Sequence, residues 1–180
     1  ITLYVPDAHK WEIESPYLYT VTALLQRRNE AYDEISARVG VRSFSCDPDK
    51  GFIINGVETP LRGVSRHQDQ LYKGNALTKE DHYKDAQIIK ELGANTIRLA
   101  HYQHSQDFYD ACDELGLVVW QDLMFACAVY ELTEDFDKNI RAEIRDNVRR
   151  LRHHASLGLW CGNNEMEMFV DEGQWVNTLK

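Results

Sequence analysis

The chain has 180 residues, 43% hydrophobic and 27% charged, which suits a soluble globular protein with one core of moderate size. Its net charge of −9, from 20 basic and 29 acidic residues, argues against nucleic acid as a partner, because polyanion binding requires a basic surface. Apolar runs such as 115–120 are far too short to span a bilayer, so no membrane partner is expected.

The opening Ile1-Thr2-Leu3-Tyr4-Val5 lacks both an initiator Met and the basic start of a signal peptide, and reads as the strand-like edge of a longer protein. Up to about residue 59 the signals are those of strands. After the breaker Ser15-Pro16, the stretch 17–25 is rich in β-branched and aromatic residues, and 35–44 alternates roughly. Asn55-Gly56 between Phe52-Ile53-Ile54 and Val57-Glu58-Thr59 predicts a tight hairpin.

From Pro60 the pattern changes to strand and helix in alternation. A short strand is expected over 61–65. Thr78 with Asp81 then predicts a helix N-terminus, followed by an apolar stripe of Tyr83, Ala86, Ile89 and Leu92 and a stop at Gly93. A second strand is expected over 96–100. Ser105 opens a helix carrying Phe108, Ala111, Cys112 and Leu115, ended by Gly116. The continuously apolar 117–120 predicts a third strand covered on both faces. A helix through Phe136, Ile140, Ile144, Val148 and Leu151 follows, then a fourth strand over 157–161. Arg141, Arg145, Arg149, Arg150 and Arg152 interleave with Asp137, Glu143 and Asp146, as on a solvated, ion-paired helix face.

Strands alternating with amphipathic helices imply a parallel sheet with right-handed crossovers, either a small open sheet or part of a barrel. A whole (β/α)8 barrel needs about 250 residues, so residues 60–180 allow half of one. The expected division is 1–47 as the end of a β-sandwich, 48–59 as a hairpin linker and 60–180 as the amino-terminal half of a barrel.

In such folds the working residues lie at the carboxyl ends of strands. Here those ends run into Arg66, His67 and Asp69; Arg98, His101 and His104; Gln121-Asp122; and Asn163-Asn164-Glu165. Any one can be a turn or cap residue, and Glu165 alone can be a first-turn carboxylate favoured by the helix dipole. Together they place carboxylates, imidazoles and guanidinium groups on one rim, suited to a polyhydroxylated substrate or a metal. His101-x-x-His104 lacks the Glu of a metalloprotease motif, and His153-His154 precedes the fourth strand, at the opposite rim, so no metal ligand is assigned. Cys46, Cys112, Cys127 and Cys161 show no metal-type spacing and read as reduced, mostly buried residues, which favours a cytoplasmic setting. No Gly-x-Ser-x-Gly elbow occurs, which sets aside an open α/β hydrolase.

Trp160-Cys161-Gly162-Asn163-Asn164-Glu165 resembles the end of the fourth barrel strand in glycoside hydrolase family 2. The resemblance extends to Ser15-Pro16-Tyr17-Leu18-Tyr19 and Gly40-Val41-Arg42, similar to the end of the family's immunoglobulin-like sandwich. It continues through Asn55-Gly56, Arg62 to His67, and Gly93-Ala94-Asn95-Thr96-Ile97-Arg98 with His101-Tyr102. It implies the first half of a (β/α)8 TIM barrel preceded by part of an immunoglobulin-like sandwich, with a carbohydrate as substrate and no cofactor. Glu165 would be the catalytic acid/base and Asn164 would bind the sugar 2-hydroxyl. Arg98 and His101 would shape the sugar subsite, with His67 and Asp122 lining the rim. From Arg62 to Trp120 the wording is closest to β-galactosidases, and from there to Glu165 it looks more like β-mannosidases. The Asp-Glu-Ala-Asn pattern that leads to magnesium ligands in many β-galactosidases is not found.

Retaining glycosidases use two carboxylates about 5 to 5.5 Å apart. The family's nucleophile follows the seventh strand, and none of Glu131, Glu134, Glu167 or Glu172 resembles it. The 180 residues alone are therefore expected to lack activity, and to associate with themselves or with the missing barrel half. A truncated carbohydrate-binding or scaffold fragment is the competing reading.

Overall fold

The computed structural model describes residues 2–166. Strands β1 (Tyr19–Arg27) and β2 (Glu30–Val39) form an antiparallel ribbon. Strands β3 (Phe44–Asp47), β4 (Gly51–Ile54) and β5 (Val57–Glu58) form a second antiparallel sheet, so pairing crosses the expected boundary at residue 47. Asn55 and Gly56 both take positive φ (52° and 88°), as a two-residue turn of the expected kind requires.

Strands β6 (Gly63–Arg66), β7 (Thr96–Leu99), β8 (Val118–Asp122) and β9 (Leu157–Cys161) form one parallel sheet in the order β6-β7-β8-β9. Helices α1 (Lys79–Glu91), α2 (Gln106–Leu115) and α3 (Glu134–Leu151) connect them. This is the sequential order of half a barrel. Among the described residues no helix is long and apolar enough to cross a membrane.

Local chemistry sets the helix ends. Thr78 and Asp81 make a reciprocal capping box on α1, while Thr133 accepts from the Phe136 amide at the start of α3. Ser105 occupies the N-cap of α2 without a side-chain cap bond. Gly116 ends α2 at φ 69°, and a Cβ there would meet the Ile13 carbonyl oxygen at 2.1 Å, so both conformation and space demand glycine. Leu92, expected in the stripe of α1, is its C-cap and 73% exposed.

Two apolar cores sandwich the sheet. Ile97, Leu99 and Val119 pack against Ala86 and Ile89 of α1 and Phe108, Ala111 and Cys112 of α2. At the amino ends of β8 and β9, Val118 and Ala155 pack against Trp11, Ile13, Phe52 and Ile54. Arg42 fastens the first segment to the barrel by donating to the carbonyls of His154, Ala155 and Leu157. Asp113 accepts from His154 Nδ1 (2.7 Å) and the Ser156 amide (2.7 Å), tying α2 to the start of β9. His154 lies at the amino rim, buried and tied to Asp113. The stripe of α3 is less covered. Leu151 is buried, but Phe136, Ile140 and Ile144 line an open apolar groove with Leu123 and Phe125.

Arg66 was expected at the rim but is buried between α1 and α2. It ion-pairs Asp85 at 2.6 Å, lies 4.1 Å from the centre of the Phe108 ring, and donates toward Nδ1 of His104 (3.1 Å) and His82 (3.3 Å). Two imidazoles accepting from one cation must be neutral. Burial, then Arg66, pushes His104 down to about 3, and the same two causes lower His82. A histidine lowered on folding stabilises above its unfolded value and loses that contribution as pH falls. Stability should therefore decline from pH 6.5 toward 3, with His104 alone costing about 2 kcal/mol by pH 5. Urea unfolding at pH 7.5 and 5 should show a shallower pH slope in His104→Gln; an unchanged slope would refute the buried neutral histidine.

Candidate active site

The site forms where β7, β8 and β9 end. Asp122, the last residue of β8, is fully buried rather than lining the open rim. Its Oδ1 accepts from Arg98 Nε at 3.0 Å, and its Oδ2 accepts from Arg98 Nη2 and His101 Nδ1, both at 2.7 Å. This two-pronged pairing holds the guanidinium in one plane, and the hydrogen bond to Asp122 is the main cause raising the Arg98 pKa. With Nδ1–H directed at Asp122, His101 keeps its Nε2 for another partner. The exposed ring of His67 meets His101 edge-on, with centroids 5.2 Å apart.

Beyond β8 and β9 the two chains remain paired. Leu123 N–H donates to Cys161 O (2.8 Å), Asn164 N–H to Phe125 O (2.8 Å) and Cys127 N–H to Asn164 O (2.9 Å). Tyr130 braces this loop, its hydroxyl bonding the amide and carbonyl of Ala126, and its ring stacking on Phe136. The ladder brings Asn164 over Arg98, whose Nη2 donates to Asn164 Oδ1 at 2.9 Å. Glu165 follows, exposed, at φ 53°. Cys127 opposite it has φ 49°. Left-handed backbone at two non-glycine residues facing each other is uncommon, and such conformations concentrate at functional sites.

Arg98, His101, Asp122 and Asn164 thus form one hydrogen-bonded group with Glu165 beside it, and His67 borders it through His101. Other residues expected at the rim turn elsewhere. His104 is buried against Arg66, so it does not share a site with His101. Gln121 is buried and accepts from the Tyr109 hydroxyl of α2. Of the other glutamates, Glu134 starts α3 and pairs with Lys138, and Glu167 and Glu172 lie outside the described residues.

The cysteines depart from expectation. Cys112 alone of the four is buried; Cys46 and Cys127 are exposed and Cys161 is intermediate. Cys127 belongs to the site, with Sγ 3.3 Å from Glu165 Oε2 and 3.4 Å from Asn164 Nδ2. The one hint in the sequence was its position, in the loop that follows the third barrel strand.

Chemically, the group offers a fixed cation, an imidazole nitrogen and an amide for binding hydroxyls, and a carboxylate open to solvent for moving a proton. Residues 48–179 match the profile of the glycosyl hydrolases family 2 TIM barrel domain, and residues 1–42 that of glycosyl hydrolases family 2. The crystal structure of an FMN-binding β-glucuronidase from Facaelibacterium prausnitzii L2-6 superposes with a TM-score of 0.90 at 58% identity, over 97% of this chain and 27% of that one. A β-glucuronidase of Bacteroides fragilis is 34% identical over 95% of this chain and 26% of its own length. A β-mannosidase of Capra hircus is 42% identical over 71% of this chain and 14% of its own. The chain therefore spans about a quarter or less of these relatives. With matched profiles covering its ribbon and its parallel sheet alike, the chain belongs to glycoside hydrolase family 2.

Proposed function

We propose that this chain supplies the acid/base half of a retaining β-glycosidase that removes terminal sugars. Glu165 protonates the leaving oxygen and later deprotonates the attacking water. Arg98, His101, Asn164 and His67 bind the sugar, and Asp122 sets the geometry of the first two. The nucleophilic carboxylate comes from the remainder of the barrel, which is the expected partner of this half. The observation that carries the reading is the convergence of Arg98, Asp122, Asn164 and Glu165 at the carboxyl ends of three successive parallel strands, β7, β8 and β9, where barrel enzymes place their chemistry.

The resemblance in the sequence supports a β-galactoside or a β-mannoside. The 58% identity to a β-glucuronidase adds a β-glucuronide and makes it the first substrate to try. Nitrophenyl β-glucuronide, β-galactoside and β-mannoside should be assayed with the chain alone and with a complementing carboxyl-terminal barrel half. Hydrolysis of one of them with the complement, and much less without it, is the expected result. A folded complex that binds sugar and hydrolyses none of the three would favour the carbohydrate-binding fragment instead.

A further inference from the structure

The side chain of Glu165 is exposed, and a free glutamate samples several rotamers. An acid/base must instead hold its proton at one place relative to the glycosidic oxygen. Among the described residues, its carboxylate accepts a hydrogen bond from the Cys127 thiol, at Oε2 and 3.3 Å. Cys127 is itself held twice from the neighbouring residue: its amide donates to Asn164 O at 2.9 Å, and its sulfur accepts from Asn164 Nδ2 at 3.4 Å. Asn164 is anchored through Oδ1 to Arg98, and Arg98 to the buried Asp122.

We infer that Cys127 is a positioning residue for Glu165, its thiol linking the acid/base carboxylate through Asn164 to the Arg98–Asp122 anchor. The inference rests on the acid/base reading of Glu165 given above. A thiol suits the place because it donates through S–H to a carboxylate and accepts, through sulfur, from a carboxylic acid. The carboxyl group therefore keeps its partner in both protonation states of the catalytic cycle. The second hydrogen of Asn164 Nδ2 stays available for a sugar hydroxyl. The left-handed backbone of Cys127 and Glu165 (φ 49° and 53°) turns the two side chains toward each other across the paired loops.

Two measurements test this. The infrared S–H stretching band of Cys127, identified by its loss in Cys127→Ser, should move to higher frequency in Glu165→Ala of the 180-residue chain. A band that stays in place overturns the inference. In the complemented enzyme, Cys127→Ala should slow an alkyl glycoside, which needs a proton to leave, about tenfold, and the burst phase of a nitrophenyl glycoside, which reports glycosylation alone, less than about twofold. Cys127→Ser should recover most of the loss. Equal losses on both substrates would mark a merely structural residue and overturn the inference. If the unsubstituted complex hydrolyses nothing, the hydrolase reading fails, and the infrared band decides the Cys127–Glu165 link by itself.

Discussion

Replacing Glu165 with Gln in the complemented enzyme should lower the rate on an alkyl β-glycoside by about 10²–10⁴-fold, the range for a positioned general acid. The side chain keeps its size and its place opposite Cys127, but an amide cannot deliver a proton to a leaving oxygen. A nitrophenyl glycoside of the same sugar leaves as a stable anion and needs less help, so its glycosylation step should slow far less. The second step needs the same group as a base, and an intermediate that forms quickly and hydrolyses slowly should accumulate. A burst of nitrophenol followed by slow turnover would display this. If Glu165→Gln acts on the alkyl glycoside as fast as the parent does, Glu165 is not the acid. The difference between substrates matters because general damage to the fold would depress both together.

Substituting Asp122 with Ala should be the most destabilising change at the site. The carboxylate is fully buried and accepts three hydrogen bonds, two from Arg98 and one from His101. Removing one partner of a buried ion pair typically costs about 3–5 kcal/mol, because the other charge is left without compensation. The Arg98 side chain is 31% exposed, so water recovers part of that loss and the expected cost is near 3 kcal/mol. Urea unfolding of the chain should show it as a lowered midpoint at constant slope. Asp122→Asn retains one acceptor and should fall between. Activity of the complemented enzyme should fall in the same order, since Arg98 loses its plane and His101 its fixed tautomer. A midpoint for Asp122→Ala within about 0.5 kcal/mol of the parent would mean the pair does not anchor the site.

What could be read from the sequence about the fold shares one physical property: it depends on residues close in the chain. The Asn55-Gly56 turn, the Thr78–Asp81 capping box and the glycine stop at Gly116 are governed by backbone conformation within a few residues. Alternating apolar strands and striped helices then restrict the topology to a parallel sheet, open or part of a barrel, and the family resemblance implies the half-barrel. The α3 stripe was legible for the same reason, although Phe136, Ile140 and Ile144 border an open groove, because periodicity reports which face is apolar and not what covers it.

The site divides along the same line. Its residues could be nominated because each lies at or just beyond a strand's last residues: Arg98 is next to last in β7, Asp122 closes β8, and His101, Asn164 and Glu165 follow β7 and β9. Their roles depended on partners distant in sequence. Arg66 and Arg98 both lie near the ends of adjacent strands but one residue out of register (Arg66 pairs with Leu99, Arg98 with Ser65), so they face opposite sides of the sheet. Asp85, His82 and His104 hold the first among the helices, while Asp122 and Asn164 hold the second at the rim. Asp122 looks like a rim carboxylate in the sequence, and only packing made it a buried anchor. Cys127 is the clearest case. Its place in the loop after the third strand sets it apart from the helical Cys112, but only cross-loop pairing sets its thiol against Glu165, 38 residues away. The sequence by itself determined the half-barrel, its family and the carboxylate at the fourth strand, because short-range backbone preferences and motif wording carry these. The tertiary structure alone decided what holds that carboxylate, because hydrogen bonds between side chains on different strands exist only once the strands have been brought together.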